Sequence, residues 1–461
     1  MLRLTGVIPR FGLTVSVSLL IVYFICVAPL AFLLYIELTD RRYRSRQPRG
    51  CRKLGLKSCS NLADEHSYNT RGVHKRSKDH AGKKIKVKAL IVYPIKSCAG
   101  VEFNFIDGTD TGLMYDRQFA FAEYVETRNA EGESKTNGSA EKNATTGRWD
   151  CRTLRDGKFS RMALVRPEIW IPDPSLPSYS PKAPAVRSKG VLVINYPRIA
   201  TSFLTKLGMK LNLCSREESF QVPLYPPDGE YPSIPFRIFR DTPNAYNYGD
   251  HIPSSLATFL GSTKPLSLFR VDPDHYRPVR GNAPPAADLG FEPTMGFPDE
   301  YPVQMQNLAS IRNIAEQVRY AIPKFSVRRF RPNIVLEGLE AYDEDDWKRI
   351  RIVQGPRSRK APPSSAEGDR GDERKDEGKG VDVIVACRTV RCRLPNVDPD
   401  TGERHQVEPD KTLRSMRNID AGAGKSGCLG MMLVPVARKF TLHVGDEIEV
   451  RERGEHFYVK G

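Results

Sequence analysis

The sequence predicts a mixed α/β protein that is rich in β-strand and carries one transmembrane helix near its N-terminus. Three observations predict this fold class. Residues 11–36 contain no charged side chain and precede a strongly basic block. Most of the later apolar runs are short and rich in β-branched residues, which is typical of strands. Only two segments repeat apolar residues at the spacing of an amphipathic helix.

Composition and charge exclude several classes of protein. The chain has 461 residues, of which 39% are hydrophobic, and a net charge of +16. That hydrophobic fraction is too low for a protein with many membrane spans. Residues 40–88 carry +12 and residues 1–39 carry +1, which leaves only +3 for the other 373 residues. The body is therefore nearly neutral, and nucleic-acid binding is not predicted.

The uncharged stretch predicts a membrane anchor. A helix over residues 11–36 would be about 39 Å long, enough to cross a hydrocarbon core of about 30 Å. It is longer than the apolar region of a cleaved signal peptide, and no small-residue cleavage site follows it. Seven basic side chains lie in 41–53, against Arg3 and Arg10 on the other side. The positive-inside rule therefore predicts a single-pass anchor, residues 1–39, with the body facing the cytosol.

Three segments are predicted to lack a packed structure. Residues 40–83 are polar and basic and predict a disordered linker, and residues 126–147 predict a low-complexity insertion. Residues 356–380 carry seven basic and six acidic side chains and no aromatic residue. Such segments cannot bury enough apolar surface to offset the entropy of ordering.

The rest of the chain predicts strands and two helices. Residues 309–322 predict a helix, because Ile311, Ile314 and Val318 share one face, and a shorter helix is predicted around 200–211. The predicted strands are 84–95, 190–197, 333–338, 349–355, 381–394 and 440–453. No dinucleotide, P-loop, serine-hydrolase or zinc-protease motif is present. Nine cysteines without a C-x-x-C pair predict free thiols in a reducing compartment.

Cys392 is the strongest candidate for chemistry. It lies between Arg391 and Arg393, near the predicted end of a strand, and a D-P-D-T-G turn follows at 398–402. Neighbouring guanidinium groups lower the pKa of a thiol, and a thiolate is a soft metal ligand or a nucleophile. Spacing alone favours the alternative, which is a buried and inert strand cysteine.

Four separated segments carry a resemblance to a known family. They are YPIKSCAG (93–100), YDRQFA (115–120), RFRPNI (329–334) and RC with VDPDTG (391–392 and 397–402). In this order they resemble the MOSC family, and within it the branch of mitochondrial amidoxime-reducing components. The resemblance covers roughly residues 84–453 apart from the two insertions. It implies a MOSC N-terminal β domain over 84–240 and a MOSC β-barrel domain over 241–461.

The resemblance also implies a molybdenum cofactor. In this family two dithiolene sulfurs of a pterin and one protein thiolate hold the molybdenum, and Cys392 matches the thiolate position. Arginine suits the pterin phosphate because its guanidinium is a two-pronged donor. Each matched position also fits a structural role when it is taken alone. The residues that match cofactor-contact positions, or lie beside the ligand, are Lys96, Ser97, Arg117, Arg331 and Arg391.

Two further features bear on catalysis. Asp398 matches an aspartate near the metal and is predicted either to supply a proton or only to form the turn, and the turn is favoured. The chain differs from the branch at Pro395 and Asn396, at 431–432, and at Glu300–Tyr301. These differences concern the substrate pocket more than the cofactor contacts.

The function implied by the resemblance is that of a membrane-anchored molybdenum oxidoreductase. It would reduce N-hydroxylated substrates by two electrons, which a b-type cytochrome and its NADH-dependent flavin reductase would supply. The implied location is the mitochondrial outer membrane, with the endoplasmic reticulum as the alternative. Two other functions stay open. One is a sulfur carrier with a persulfide on Cys392, and the other is a non-catalytic, membrane-tethered cofactor-binding protein.

Overall fold

The computed structural model describes residues 23–27, 29–30, 32, 35, 47–66, 84–127, 146–200, 202–210, 214–355 and 380–461. The strands of these residues, in chain order, are β1 (Cys51–Lys53), β2 (Lys86–Val92), β3 (Val101–Phe103), β4 (Phe105–Thr109), β5 (Gly112–Leu113), β6 (Phe119–Thr127), β7 (Thr146–Cys151), β8 (Arg166–Pro172), β9 (Val191–Pro197), β10 (Glu217–Pro223), β11 (Ser233–Arg237), β12 (Asn244–Asn247), β13 (Leu266–Val271), β14 (Arg277–Pro278), β15 (Thr294–Met295), β16 (Val303–Asn307), β17 (Ile334–Glu337), β18 (Trp347–Val353), β19 (Val381–Val390), β20 (Cys428–Pro435), β21 (Lys439–His443) and β22 (Glu447–Arg453). The α-helices are α1 (Pro184–Arg187), α2 (Phe203–Lys210), α3 (Ser254–Leu260), α4 (Ala286–Leu289), α5 (Leu308–Val318) and α6 (Asp410–Met416).

Two closed barrels organise the strands. The larger barrel has the order β17-β16-β20-β19-β18-β22-β2 and closes by antiparallel pairing of β2 with β17, while β3 pairs with β2 as an eighth strand. The smaller barrel has the order β11-β12-β13-β6-β7 and closes by parallel pairing of β7 with β11. Smaller sheets are β1-β8-β9-β10, β21-β4-β5 and β14-β15. Each barrel takes strands from both sides of residue 240, so neither barrel coincides with one of the two predicted domains. The domain boundary at 240/241 remains a prediction.

The helix α5 shows how the apolar pattern places an element. Its residues Ile311, Ile314 and Val318 lie on one face and pack in a buried cluster that also contains Val335 of β17. The side chain of Asn307 caps the helix by accepting a hydrogen bond from the backbone N–H of Ala309, at 2.9 Å. The helix thus covers the outside of the larger barrel. It ends at Val318, four residues before the predicted end.

The prediction of a β-rich body with two helical segments is confirmed in outline. The predicted short helix is α2, and each predicted strand has a counterpart. Residues 440–453 form two strands, β21 and β22, since a turn interrupts them at 444–446. Strand β19 ends at Val390, four residues earlier than predicted. Cys392 therefore lies just beyond the strand, in the segment that enters the next turn.

The predicted membrane anchor lies mostly outside the described residues. Of the stretch 11–36, Tyr23–Val27 forms one π-helical turn, and 29–30, 32 and 35 are also described. Among all residues that the structure describes, no helix has the length and apolar character needed to cross a membrane.

The prediction of a disordered linker is wrong for residues 47–66. Strand β1 pairs with β8 of the folded body, and Cys51 and Leu62 are both 4% exposed. The carboxylate of Glu65 accepts a hydrogen bond from the backbone N–H of Val327, at 3.1 Å. The two buried side chains and the strand pairing hold this segment on the body. A prediction based on its basic composition could not detect these contacts. Residues 40–46 and 67–83 lie outside the described residues.

The two predicted insertions are also bounded more narrowly. Strand β6 continues to Thr127 and β7 begins at Thr146, so only 128–145 lie outside the described residues there. In the second insertion the corresponding range is 356–379. Strands β18 and β19, on either side of it, form an antiparallel pair in which Ile352 lies opposite Val381.

We expect that deleting residues 357–379 leaves the fold and its activity intact. The deletion would leave 353–356 and Gly380 as a short hairpin loop between two strands that already pair, and hairpin loops of this length are common. Thermal unfolding should show a change in unfolding free energy within about 0.5 kcal/mol. A collapse in soluble yield would show instead that the insertion packs on the body.

Candidate cofactor site

A cavity of about 990 Å³ opens where the end of β2, the residues before β16 and the residues after β19 meet. It brings together six of the seven residues predicted as site residues. These are Lys96, Ser97, Arg117, Arg331, Arg391 and Cys392. The chain positions 96 and 392 thus become neighbours through the closure of the larger barrel by β2.

Unusual backbone conformations concentrate at this cavity. Seven non-glycine residues of the described chain have positive φ, and four of them line the cavity. These four are Ser97 (68°), Arg117 (46°), Phe239 (55°) and Arg331 (56°). The left-handed region costs a non-glycine residue roughly 1–3 kcal/mol, and such strain clusters at functional sites. The surrounding structure therefore holds the backbone of these residues in a strained conformation, which directs their side chains.

Cys392 lies at the cavity wall, partly exposed. Burial raises the pKa of the Cys392 thiol, although the backbone N–H of Leu394 and the guanidinium of Arg391 oppose this effect. Arg393 contacts Asp410, with 3.2 Å between Nε and Oδ2. The prediction of a lowered pKa is therefore wrong in its net direction, because burial outweighs the lowering effect of Arg391. Metal ligation itself displaces a thiol proton, so the thiol is still suited to hold a metal.

Arg331 and Arg391 are half-buried cations whose guanidinium groups are only partly used by the protein. Arg331 stacks 4.2 Å from the centre of the Tyr93 ring, and burial lowers its pKa to about 10. Arg391 donates from Nε to the carbonyl of Leu429, at 2.8 Å, and burial also lowers its pKa to about 10. In each residue the buried Nη2 has no hydrogen-bond partner among the described residues. Each arginine thus keeps a donor for a ligand.

Arg117, in contrast, is committed to the protein. It donates from Nη2 to the backbone carbonyl of Arg331, at 2.9 Å, and from Nη1 to Asp116 and Asn333, at 2.6 and 3.0 Å. Its guanidinium also lies 4.6 Å from the centre of the Tyr93 ring, which Arg331 contacts as well. Arg117 therefore fixes the backbone that carries Arg331.

Lys96 and Ser97 lie at the turn that follows β2. Lys96 is 3% exposed, and its ammonium donates to the carbonyl of Phe297, at 2.9 Å, and pairs with Asp299. The surrounding protein opposes ionisation of Asp299, but the Lys96 ammonium outweighs that effect and lowers the pKa of Asp299 to about 2. The Ser97 hydroxyl oxygen accepts from the backbone N–H of Leu154, at 3.1 Å, which leaves its hydrogen for a ligand.

Asp398, the seventh predicted residue, does not line the cavity. Its Oδ1 accepts from the backbone N–H groups of Asp400 and Thr401, at 2.8 and 3.1 Å. Its Oδ2 pairs with Arg329. The geometry supports the turn-forming role, and the catalytic role of Asp398 stays an untested prediction.

Two family models match the chain on both sides of this cavity. The MOSC domain matches residues 292–449, and the MOSC N-terminal beta barrel domain matches residues 84–134. The chain thus contains two regions that match the MOSC domain and the MOSC N-terminal beta barrel domain. Lys96, Ser97 and Arg117 lie in the N-terminal match, and Arg331, Arg391 and Cys392 lie in the MOSC match, so the cavity lies between the two regions.

The chain is similar to several curated proteins over part of its length. Mitochondrial amidoxime-reducing component 1 of Danio rerio is 28% identical over 46% of this chain and 55% of its own length. The protein of the same name from Homo sapiens is 31% identical over 43% and 51%, respectively. Mitochondrial amidoxime reducing component 2 of Bos taurus is 26% identical over 46% and 54%. The chain spans about half the length of the curated relatives it matches.

The donors of this cavity fit a phosphorylated pterin with a metal. Eleven basic and three acidic residues line the cavity, which favours an anionic ligand. Besides the two arginine Nη2 atoms, the buried Thr389 Oγ1 and Gln304 Oε1 have no partner among the described residues. Buried polar atoms are rarely left unpaired. These donors and acceptors could therefore form hydrogen bonds with a ligand that has many polar groups. Cys392 supplies a soft sulfur at the same cavity.

Several lining residues escaped prediction. Arg155, Arg277, Thr389 and Tyr458 belong to segments without a recognisable motif. Glu300 was noted only as part of the Glu300–Tyr301 difference from the related branch, and Asp299 was not predicted at all. A signal for these residues would have required knowing that the segments 152–156, 277–301 and 454–461 meet at one place.

Proposed function

We propose that this chain is a membrane-anchored molybdenum oxidoreductase that reduces N-hydroxylated compounds by two electrons. The observation that carries the proposal is the convergence of Cys392 with the partly unpaired cations Arg331 and Arg391 in one basic cavity. The matches to the MOSC family models and the likeness to amidoxime-reducing components support it.

The residues of the cavity have separable roles in this proposal. Cys392 would be the protein ligand of molybdenum, and Arg331 and Arg391 would bind the pterin and its phosphate through their unpaired Nη2 atoms. Ser97 would donate its hydroxyl hydrogen to the same ligand. Arg117 acts through Arg331 as a positioning residue, and Lys96 positions Asp299. When bound, the cofactor would supply the two-electron chemistry.

The electron donors, the anchor and the location are parts of the same proposal. No flavin, haem or iron–sulfur motif occurs in the sequence, so electrons would come from a b-type cytochrome and an NADH-dependent flavin reductase. The uncharged stretch 11–36 would anchor the chain, with the body facing the cytosol. The relatives' names suggest mitochondria, and we propose the outer membrane, where cytosol-facing donors can reach the cavity.

The test is reduction of benzamidoxime by the purified full chain with an artificial electron donor. The proposal predicts stoichiometric formation of benzamidine and water at the expense of two electrons. Bound molybdenum without turnover would favour a non-catalytic cofactor-binding protein. A chain without molybdenum but with labile sulfane sulfur would favour a sulfur carrier with a persulfide on Cys392.

We expect the two glycosylation sequons at Asn137 and Asn143 to stay unmodified in the native host. Both lie in the insertion 128–145, outside the described residues, and a polar insertion of this kind is a suitable acceptor in a secretory compartment. A body that faces the cytosol never meets the glycosylation machinery. The measurement is gel mobility before and after glycosidase treatment. A shift that disappears in the Asn137→Gln/Asn143→Gln variant would overturn the orientation and put the proposed donors out of reach.

A further inference from the structure

Glu300 differs from the other two acidic residues of the cavity. Asp241 pairs with Arg277 and Arg280, at 2.9 Å each, and Asp299 pairs with Lys96. Among the described residues no ion pair involves Glu300. Its Oε1 instead accepts a hydrogen bond from the hydroxyl of Tyr458, at 2.7 Å. In a cavity with eleven basic residues, this carboxyl is the acidic group that no cation neutralises.

The surroundings of Glu300 are apolar and fixed. Met295, Tyr301, Met432 and Tyr458 belong to one buried cluster and also line the cavity. Tyr458 is 7% exposed, and its backbone N–H donates to Asp420 Oδ1, at 2.8 Å. The tail that carries Tyr458 is therefore tied to the body, and the hydroxyl is held in place beside Glu300. An apolar wall beside a carboxyl is the kind of environment that raises the pKa of catalytic acids, and the Tyr458 hydroxyl fixes where this carboxyl lies.

The charged and titratable groups near Glu300 act in both directions. Burial raises the pKa of Glu300, and Asp299 raises it further, whereas the Tyr458 hydrogen bond, Arg155 and Lys460 lower it without cancelling the rise. The titratable groups that interact with it across the packed segments are Asp299, Tyr301, Arg155, Cys387, Tyr458 and Lys460. The pKa values of Asp299 and Glu300 are thus shifted in opposite directions, that of Asp299 downward and that of Glu300 upward.

We propose that Glu300 is the acid that protonates the oxygen leaving the substrate, with Tyr458 holding its carboxyl in position. The inference rests on the proposed function. An N–OH group that is reduced takes up two electrons, supplied by the external redox proteins, and two protons. The N–O bond breaks, the nitrogen takes up one of the two protons from solvent, and the oxygen takes up the other from Glu300 and leaves as water. Because Tyr458 donates to Oε1, Oε2 carries the proton that the leaving oxygen receives, and solvent entering the cavity reprotonates the carboxylate.

The experiment compares Glu300→Gln and Tyr458→Phe with the wild-type full chain in benzamidoxime reduction across pH. Activity requires protonated Glu300, so the wild-type kcat should be highest below its pKa and fall above it. Glu300→Gln keeps the size and the acceptor of the side chain, and should lower kcat by about 10²-fold or more and remove that alkaline limb. Tyr458→Phe removes a hydrogen bond that favours the carboxylate. Its alkaline limb should therefore move to higher pH, and its low-pH plateau should be lower than that of the wild type, because the carboxyl is no longer held in position.

An independent readout is infrared titration of the purified chain, which follows protonated carboxyl groups without turnover. One band should be lost in Glu300→Gln and should titrate at higher pH in Tyr458→Phe. The matched control is Glu316→Gln, an acid on the exposed face of α5 whose replacement should leave kcat and its pH profile unchanged. An active wild type whose Glu300→Gln variant keeps the alkaline limb would overturn this inference alone. An inactive wild type would overturn the proposed function and this inference with it.

Discussion

Replacing Cys392 with alanine should abolish benzamidoxime reduction and lower the molybdenum content of the chain as purified, while leaving the fold intact. The thiol is the soft donor of the cavity wall, whereas the side chain is partly exposed and packs little volume. Mutation of a residue that only hydrogen-bonds to a metal ligand lowers metal affinity or activity by roughly 10- to 100-fold. Loss of the ligand itself should lower them by at least as much. Turnover, molybdenum content and pterin content per chain are the measurements. Because Arg331 and Arg391 remain, the pterin should be lost less completely than the metal.

The matched control is Cys214→Ala. Cys214 is also partly buried, but its thiol contacts the backbone of α2 and does not line the cavity. Its replacement should leave molybdenum content and turnover unchanged. If Cys392→Ala kept full turnover, the ligand assignment would be wrong. If both variants lost activity together with thermal stability, the loss would reflect misfolding.

Replacing Arg331 with methionine should separate cofactor retention from stability. Burial disfavours the charged form of Arg331, so a cation is kept there at a cost to the folded protein. Methionine keeps the apolar stem over Tyr93 and removes both the charge and the unpaired Nη2. We therefore expect the chain without cofactor to be as stable as the wild type or more stable. Affinity for the pterin should fall roughly 10- to 100-fold, the contribution of one hydrogen bond between charged groups.

The control for this variant is Arg328→Met, three residues earlier in the chain. Arg328 forms a two-pronged pair with Asp400, at 2.8 and 2.7 Å, and does not line the cavity. Its loss should change stability by less than about 1 kcal/mol and leave pterin content unchanged. Pterin content after purification and thermal unfolding of the chain without cofactor are the measurements. Equal pterin loss in both variants would contradict the role assigned to Arg331.

Chemistry carried by local sequence was predictable, and chemistry assembled from distant segments was not. Lys96, Ser97, Arg331 and Cys392 lie in short segments that resemble the MOSC family, and the structure places them at one cavity. The stacking of Tyr93 and the unpaired atoms of Arg331 depend on side-chain packing that no spacing reveals. The pKa of Cys392 went in the opposite direction from the prediction, because burial outweighs the effect of neighbouring charges.

The fold shows the same division. Apolar periodicity located α5, and β-branched runs located the main strands. The pairing of β2 with β17, which closes the larger barrel, joins residues that lie far apart in the chain and is not encoded in either strand alone. Residues 47–66 were misjudged because a basic composition hid two buried apolar side chains and a strand that pairs with β8.

The central claim is that Cys392 holds molybdenum in this cavity, and X-ray absorption at the molybdenum edge tests it most directly. The purified full chain should contain about one molybdenum per chain, with three sulfur neighbours, two from the pterin and one from Cys392. The Cys392→Ala chain, reconstituted with cofactor, should show two. A wild-type chain without molybdenum, or one whose sulfur count is the same with and without Cys392, would contradict the account.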